Sequence, residues 1–373
     1  MPGVFFVLGV GGTSIRKSMY IHFDILKVMP MRRLCKLIAV PLIAWLGTQL
    51  AFSQSESPQQ AEQVFRVQVD FVVVDAQVLN KKTKRPAGAL RQEDFELYQN
   101  GVRQQITSFS QDQLPLSVVF LFDLTDSVRP VLQPLAEGAL RALQHLKPED
   151  EVAVMVYAAK TEMLQDFTTN RQLIVNAIQK ASRMESREAA FFNQGMFQAA
   201  LQSEHATNSS SRRVIVWFTD NVPNIPSEEI RSRYGKSLPA EELHTEKDAL
   251  RELFKSGASV CTMLQRSDIS DSEFAAHMRD PIMMIQRRQY PPGDVYKYSA
   301  ETGGMVFEPV GPKSAAQRLA EMIDRIRSRY TLGYHPSSSD HPGQFYQLKL
   351  KMTPEAEQRE GKLLVQTRRG FYR

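Results

Sequence analysis

The stretch Leu116-Ser-Val-Val-Phe-Leu-Phe-Asp-Leu-Thr-Asp-Ser127 decides the fold. Its first seven residues are almost all apolar, which is typical of a strand buried on both faces of a parallel sheet. Three later runs share this character, and helical patterns separate them; they occupy residues 152–157, 214–218 and 258–264. The alternation of such strands with helices predicts an α/β fold with a doubly wound, mostly parallel sheet.

Oxygen-bearing side chains follow two of these strands, at the point where each strand ends. Asp123, Thr125 and Ser127 alternate after the first strand, and Asp220 follows the run that ends at residue 218. Ligands of open α/β sheets bind beyond the carboxyl ends of the strands, and carboxylate and hydroxyl oxygens suit Mg²⁺ or Mn²⁺. The four residues therefore form a candidate metal site. In the alternative interpretation, the two aspartates only cap loops and accept hydrogen bonds from backbone amides.

The Asp-x-Thr-x-Ser pattern of residues 123–127, with Asp220 after a later strand, resembles the metal-ion-dependent adhesion site of the von Willebrand factor type A (VWFA) family. The resemblance covers about residues 115–330. Three further matches extend it to the secreted acidobacterial-type VWFA-related family: Glu93-Asp-Phe-Glu-Leu-Tyr-Gln-Asn-Gly101, Thr302-Gly-Gly304 and Tyr330-Thr-Leu-Gly-Tyr334. The resemblance implies a Rossmann-like fold and a divalent cation, Mg²⁺ or Mn²⁺, that binds an acidic group of a partner protein.

Two positions depart from the family pattern. The family has a loop threonine as a ligand, but the matching stretch here is Glu188-Ala-Ala-Phe-Phe-Asn193, in which an alanine takes that place. Ser186 and Asn193 are the nearby side chains able to substitute for it. Asp126 stands where the family has glycine, and its carboxylate either strengthens cation binding or faces solvent. Since Mg²⁺ readily keeps several waters, we expect the missing threonine to weaken cation binding rather than abolish it.

Residues 31–53 have the pattern of a secretory signal peptide. A basic start precedes an apolar core of about ten residues at 37–46, which is too short to span a bilayer as a mature helix. The following Ala51-Phe-Ser53 supplies the small residues that a signal peptidase needs. We therefore expect the mature protein to begin at Gln54 and to be secreted or periplasmic. An uncleaved membrane anchor is the alternative.

The leader also carries the excess of positive charge. The sequence has 46 Lys and Arg against 41 Asp and Glu, but six of these bases and one acid precede residue 54, which leaves 40 of each. A neutral mature chain offers no basic face, so nucleic-acid binding is not expected. Residues 1–30 are interpreted as an extension upstream of a translation start at Met31.

Four segments follow the leader. A polar, flexible tether at 54–63 leads into a small β module at 64–110, in which Asn100-Gly101 predicts a tight hairpin turn. The α/β domain of the VWFA type is expected at 115–330. A C-terminal β segment is expected at 331–373, and it would pair with the first module beside the α/β domain.

No recognisable catalytic motif accompanies the candidate metal site. The seven histidines are scattered without a His-Glu-x-x-His zinc helix, and no Gly-x-Ser-x-Gly elbow occurs. We therefore expect no enzymatic activity, but a protein-binding module whose cation binds an acidic group of an unidentified protein partner. The alternative is a metal-independent structural or assembly scaffold with a vestigial cation site. Contact with a membrane is expected only through an uncleaved leader.

Overall fold

In the computed structural model of the protein, the described residues are 71–88, 90–111, 114–125, 128–158, 160–184, 190–221, 244–265, 294–307, 314–336, 341 and 343–373. The chain divides into two compact units, Met1–Phe65 and Arg66–Arg373, and every described residue lies in the second unit. The predicted leader and tether therefore lie outside the described residues, as do Asp126, Ser127 and Ser186.

The described residues form fourteen strands and seven α-helices. The strands are β1 (Val72–Asn80), β2 (Phe95–Gln99), β3 (Val102–Gln104), β4 (Ser108–Ser110), β5 (Leu116–Asp123), β6 (Glu151–Tyr157), β7 (Thr161–Thr168), β8 (Arg212–Thr219), β9 (Ser259–Leu264), β10 (Val306–Phe307), β11 (Tyr330–Tyr334), β12 (Phe345–Met352), β13 (Leu363–Thr367) and β14 (Gly370–Tyr372). The helices are α1 (Arg129–Leu143), α2 (Arg171–Arg183), α3 (Phe192–Glu204), α4 (Glu246–Ser256), α5 (Val295–Thr302), α6 (Ala315–Arg327) and α7 (Pro354–Glu360).

The central sheet has six strands in the order β10–β9–β8–β5–β6–β7. Neighbouring strands are parallel, except that β7 is antiparallel to β6. Every residue of β5 and β6 is buried, as their continuous apolar sequences require. The predicted doubly wound, mostly parallel sheet is thus confirmed. β5 lies between β6 on one side and β8 on the other, so the strand order reverses at β5. The carboxyl end of β5 is therefore the topological switch point at which open α/β sheets bind ligands.

Helices cover both faces of the central sheet. The core on one face includes side chains of α1, α2 and α6, and the core on the other face includes side chains of α3, α4 and α5. The boundaries of α4 follow from its caps: Thr245 and Asp248 form a capping box at its start, and Gly257 ends it with a φ of 70°. Among the described residues, no helix is long and apolar enough to cross a membrane.

Strands from both ends of the described chain form two further sheets. One has the order β13–β1–β11–β4 and the other β14–β12–β2–β3, and the pairs are antiparallel. Both sheets contribute to one hydrophobic core, with Val74 from the first sheet and Leu97 and Leu348 from the second, so they pack as a β-sandwich. Positive φ angles at Asn100 (48°) and Gly101 (82°) confirm the predicted hairpin turn between β2 and β3.

The sandwich contacts the α/β domain beside β8 and β9. Arg212, the first residue of β8, pairs with Asp75 of β1: Nη2 lies 3.1 Å from Oδ1 and Nε lies 3.1 Å from Oδ2. Gly304 permits the close approach of the chain to β9, because a Cβ atom there would lie 1.7 Å from the carbonyl oxygen of Val260. A Cβ atom at Gly303 would lie 2.4 Å from the backbone carbonyl carbon of Thr367 in the sandwich, so the Thr302-Gly-Gly304 stretch has a packing role at this junction.

Candidate functional site

The candidate site is centred on the carboxylate of Asp123, the last residue of β5, which is fully buried. Its Oδ1 accepts hydrogen bonds from the backbone N–H (2.9 Å) and the hydroxyl (2.8 Å) of Thr125. Its Oδ2 accepts from the hydroxyls of Tyr157 (2.9 Å) and Thr219 (3.0 Å). A carboxylate has about four acceptor positions, so these bonds use all of them.

Tyr157 and Thr219 belong to the site although sequence reasoning missed them. They end β6 and β8, the strands on either side of β5, and Tyr157 is the register partner of Asp123. The indole Nε1 of Trp217 donates to the Tyr157 hydroxyl over 3.1 Å, which fixes the phenol in the core. The signal was present in the sequence, because polar residues that end neighbouring parallel strands meet at the same edge of the sheet.

Asp220 lies one residue beyond β8, at the same edge of the sheet as Asp123, and is 8% exposed. Burial raises the pKa of Asp123 to about 6, and the negative charge of Asp220 adds to this increase. Hydrogen bonds from Thr125 and Tyr157 act in the opposite direction. The structure thus brings the two predicted carboxylates and the Thr125 hydroxyl together within electrostatic range.

Asn221, directly after Asp220, is held in a fixed conformation. It has a φ of 59°, a left-handed conformation that asparagine tolerates better than most residues. Its backbone N–H donates to the Thr219 hydroxyl over 3.3 Å, and its side-chain Oδ1 accepts from the backbone N–H of Val295 over 3.2 Å. Asn221 is therefore held both by the end of β8 and by the first turn of α5.

The structure describes two residues near the position of the expected loop ligand, Ala190 and Asn193. Ala190 is buried and has no side-chain oxygen. Asn193, in the first turn of α3, is also buried, and its Oδ1 accepts a hydrogen bond from the Tyr298 hydroxyl over 2.9 Å. This bond engages the oxygen that a cation would need, so Asn193 is a poor substitute for the threonine. Ser127 and Ser186 lie outside the described residues.

The donor set fits a hard divalent cation that is held partly through water. Within the described residues, no group of three or more His, Cys, Asp or Glu side chains could hold a metal ion, so the site offers two carboxylates and hydroxyls. Asp123 already has four hydrogen bonds and would reach a cation through water or by exchanging one of them. Thr125 and Asp220 are the direct candidates, since a hydroxyl that donates its proton still has lone pairs. Mg²⁺ suits such a set because it usually keeps several waters.

Residues 118–222 match the von Willebrand factor type A domain. Together with the observed fold, this match shows that the chain contains a domain of this class. Such domains generally mediate protein–protein interaction or adhesion. Membership of the acidobacterial-type family stays a prediction. No curated protein matches the sequence.

Several solved structures are similar to the chain at low sequence identity. The von Willebrand factor type A protein from Catenulispora acidiphila is 11% identical, with 76% of this chain and 70% of that one covered and a TM-score of 0.38. The vWF domain of the type V pili tip protein Mfa5 from Porphyromonas gingivalis is 11% identical, with 57% and 96% covered and a TM-score of 0.36. The conserved hypothetical protein BatB from Bacteroides thetaiotaomicron is 13% identical, with 57% and 98% covered and a TM-score of 0.35.

Proposed function

We propose that this protein is a secreted or periplasmic protein-binding module, not an enzyme, and that it uses a divalent cation to bind an acidic group of a partner protein. Asp123, Thr125, Ser127 and Asp220 would hold Mg²⁺ or Mn²⁺ at the carboxyl end of β5. The cation would supply a positive charge, with an open coordination position, at a sheet edge where the described side chains supply negative charge.

The observation that carries the proposal is the placement of two carboxylates at the switch point of the sheet. Asp123 is fully buried, and among the described residues its hydrogen-bond partners are neutral and it makes no ion pair. Asp220, 8% exposed, adds a second negative charge nearby. Two buried negative charges are unfavourable next to each other unless a cation compensates them. A divalent cation would do so, and the VWFA class of the domain fits that use.

Metal binding is tested by titration calorimetry and by thermal melting of the purified protein in millimolar Mg²⁺ or Mn²⁺. We expect measurable but modest binding, since the loop position holds alanine. At a hundredfold excess of free ion over Kd, the folded state gains about 2.7 kcal/mol. Asp123→Ala is expected to abolish the heat of binding and the melting shift, and Thr125→Ala to weaken both.

Asp123 also holds the ends of three strands together, so Asp123→Ala can lose binding through misfolding. A second carboxylate variant separates the two causes. Asp220→Ala removes a charge from a residue that lies beyond its strand, and it should likewise lose binding. Glu137→Ala, at an exposed position of α1, is the matched control and should bind as the parent does. Unchanged binding in both aspartate variants would contradict the proposed site.

Partner binding is tested by capture of proteins from the exported fraction of the native host. Capture that chelator removes, that Mg²⁺ restores and that Asp220→Ala lacks would support cation-dependent recognition of a partner. Carboxylate-bearing peptides should then compete with the captured protein, whereas the corresponding amides should not. Capture that is indifferent to both chelator and the variant would contradict it.

One observation favours a second candidate function, a metal-independent scaffold. All four acceptor positions of Asp123 are filled by protein groups, and Ala190 has no side-chain oxygen to offer at the loop. In this case the buried carboxylate holds the ends of β5, β6 and β8 together, and partners bind elsewhere. The absence of heat and of a melting shift with either ion, in a correctly folded protein, would support the scaffold.

The proposed export rests on the predicted signal peptide. We expect the protein from a secreting host to begin at or near Gln54, and N-terminal sequencing of the exported form measures this directly. A mature chain that still carries residues 37–46 would instead be anchored in the membrane.

A further inference from the structure

A small polar cavity of about 190 Å³ lies at the opposite edge of the central sheet from Asp123. Arg212 and Ser259 are the first residues of β8 and β9, and both line this cavity. The sandwich closes its other side through Asp75 and Arg368. The cavity is smaller than the clefts of about 300–1,000 Å³ that bind drug-sized ligands, so it suits a small ligand.

Positive charge dominates the lining of the cavity. Four arginines line it, against a single acid, Asp75: they are Arg212, Arg213, Arg329 and Arg368. Asp75 pairs with Arg212, with both carboxylate oxygens 3.1 Å from guanidinium nitrogens, and its charge also acts on Arg329 and Arg368 without an ion pair to either. Among the described residues, the other three arginines make no ion pair. The cavity therefore retains about three uncompensated positive charges.

Arg329 is the clearest sign that a ligand belongs here. It is 1% exposed, and its Nε and Nη2 atoms have no hydrogen-bond partner among the described residues. Within the same described part of the chain, the Nε atom of Arg368 and the buried hydroxyl of Ser259 have no hydrogen-bond partner either. Buried polar groups are nearly always hydrogen-bonded, and a buried charge without a partner is strongly unfavourable. Burial lowers the pKa of Arg329, but an arginine side chain stays protonated in proteins.

We propose that this cavity binds a phosphate-type oxyanion, held by the guanidinium groups of Arg329 and Arg368 and by the hydroxyl of Ser259. The planar guanidinium presents paired N–H donors whose geometry matches phosphate and carboxylate oxygens. A tetrahedral dianion has more oxygens than a carboxylate and more charge, so it satisfies more of the unpartnered donors. Ser209 at the rim is exposed, which gives the anion a route from solvent.

The test is titration of the purified protein with inorganic phosphate and with sulfate, against sodium chloride at matched ionic strength. Calorimetry is expected to show saturable binding of one anion per chain, and melting is expected to shift upward with phosphate. Arg329→Met should weaken phosphate binding about tenfold or more, since a hydrogen bond to a charged group is lost. Ser259→Ala should weaken it about two- to tenfold.

The variants also report on the protein without anion. In phosphate-free buffer, Arg329→Met should melt at the same temperature as the parent or higher, because methionine replaces an unpaired buried charge with apolar volume. A marked loss of stability there would show that Arg329 already has partners within the protein, and would overturn the proposal. Arg85→Met, at an exposed position, is the control and should leave both measurements unchanged.

A second titration identifies the source of the anion. O-phosphoserine that binds at the same cavity, and competes with inorganic phosphate, would assign the site to a phosphoryl group carried by another molecule. Binding of inorganic phosphate alone would assign it to the free ion. If neither binds beyond the effect of ionic strength, or if Arg329→Met binds as the parent does, the site is not an oxyanion site.

Discussion

At the scale of single residues, Tyr157 is the side chain on which the geometry of the candidate site depends most. Its hydroxyl donates to Asp123 and accepts from the indole of Trp217, and all three side chains are fully buried. We expect Tyr157→Phe to lower the free energy of unfolding by about 1–3 kcal/mol. The buried indole N–H of Trp217 would lose its acceptor, and Asp123 would lose one donor. Urea denaturation measures the loss.

Tyr372→Phe is the control for this prediction, because no hydrogen bond of the Tyr372 hydroxyl occurs among the described residues and the residue lies in the sandwich. It is expected to change stability by less than about 0.5 kcal/mol. Equal effects of the two substitutions would mean that the hydroxyl of Tyr157 contributes nothing specific to the site.

The residues that carry oxygen after β5 and β8 could be selected from the sequence, because the strands and their ends were clear in the pattern. The hydrogen bonds around Asp123 could not be predicted from the sequence. Whether its carboxylate faces a cation or four protein donors depends on how β6 and β8 align beside it, and that register is a tertiary property. The unpartnered Arg329 was equally hidden, since nothing in the local sequence shows that the sandwich buries it.

At the scale of elements, Gly304 sets how closely the chain that enters β10 can approach β9. A Cβ atom there would lie 1.7 Å from the carbonyl oxygen of Val260, a backbone atom that cannot turn aside. We expect Gly304→Ala to destabilise the protein by about 3 kcal/mol or more, beyond the usual range for overpacking. Gly88→Ala, with no atom within 4 Å of the added Cβ, is the control. Thermal melting compares them, and a mild effect at Gly304 would contradict the packing role.

The pair between Asp75 of β1 and Arg212 of β8 gives a prediction on pH. Burial raises the pKa of Asp75, but the guanidinium of Arg212 more than reverses this, so the pKa lies below its usual value of 3.8. A carboxyl group with a lowered pKa in the folded state stabilises the protein above its unfolded pKa, and this contribution is lost as the pH falls through the folded pKa. We therefore expect stability to decrease as the pH is lowered below about 4.

Asp75→Asn should remove this part of the pH dependence and lower stability at pH 7 by about 2 kcal/mol or more, because it leaves the Arg212 charge without its partner. Denaturation curves between pH 3 and 7 measure both effects. Glu137→Gln, on the exposed side of α1, should leave the pH profile as it is. A profile for Asp75→Asn that runs parallel to that of the parent would contradict the assignment.

At the scale of the whole molecule, the sandwich and the α/β domain are expected to unfold together. They share the Asp75–Arg212 pair and a pair between Arg369 and Glu301 at 3.0 Å. A chain that begins at Gln54 has Trp217 as its single tryptophan, so fluorescence reports on the α/β core and far-ultraviolet circular dichroism reports on all elements. The two urea transitions should coincide in the parent. Separate midpoints would show that the two parts are independent.

The α/β class and the hairpin could be predicted because long apolar runs and an Asn-Gly pair are local signals. The sandwich could be predicted only as two β segments. Its strand order, in which β1 lies between β11 and β13, joins residues that are far apart in sequence, and no local pattern contains that information.

Because β1 pairs with strands that are far along the chain, the sandwich can form only late during synthesis. Val72 pairs with Tyr334 of β11, and β13, the other strand that pairs with β1, comes later still. At a synthesis rate of about 5–20 residues per second, roughly 10–50 s pass before β1 can find its partners. Until then the sandwich cannot close, and the apolar side chains of β1 lack the strands that cover them. Under the proposed export, this delay would keep the strands of the sandwich unfolded, as threading through a translocation channel requires.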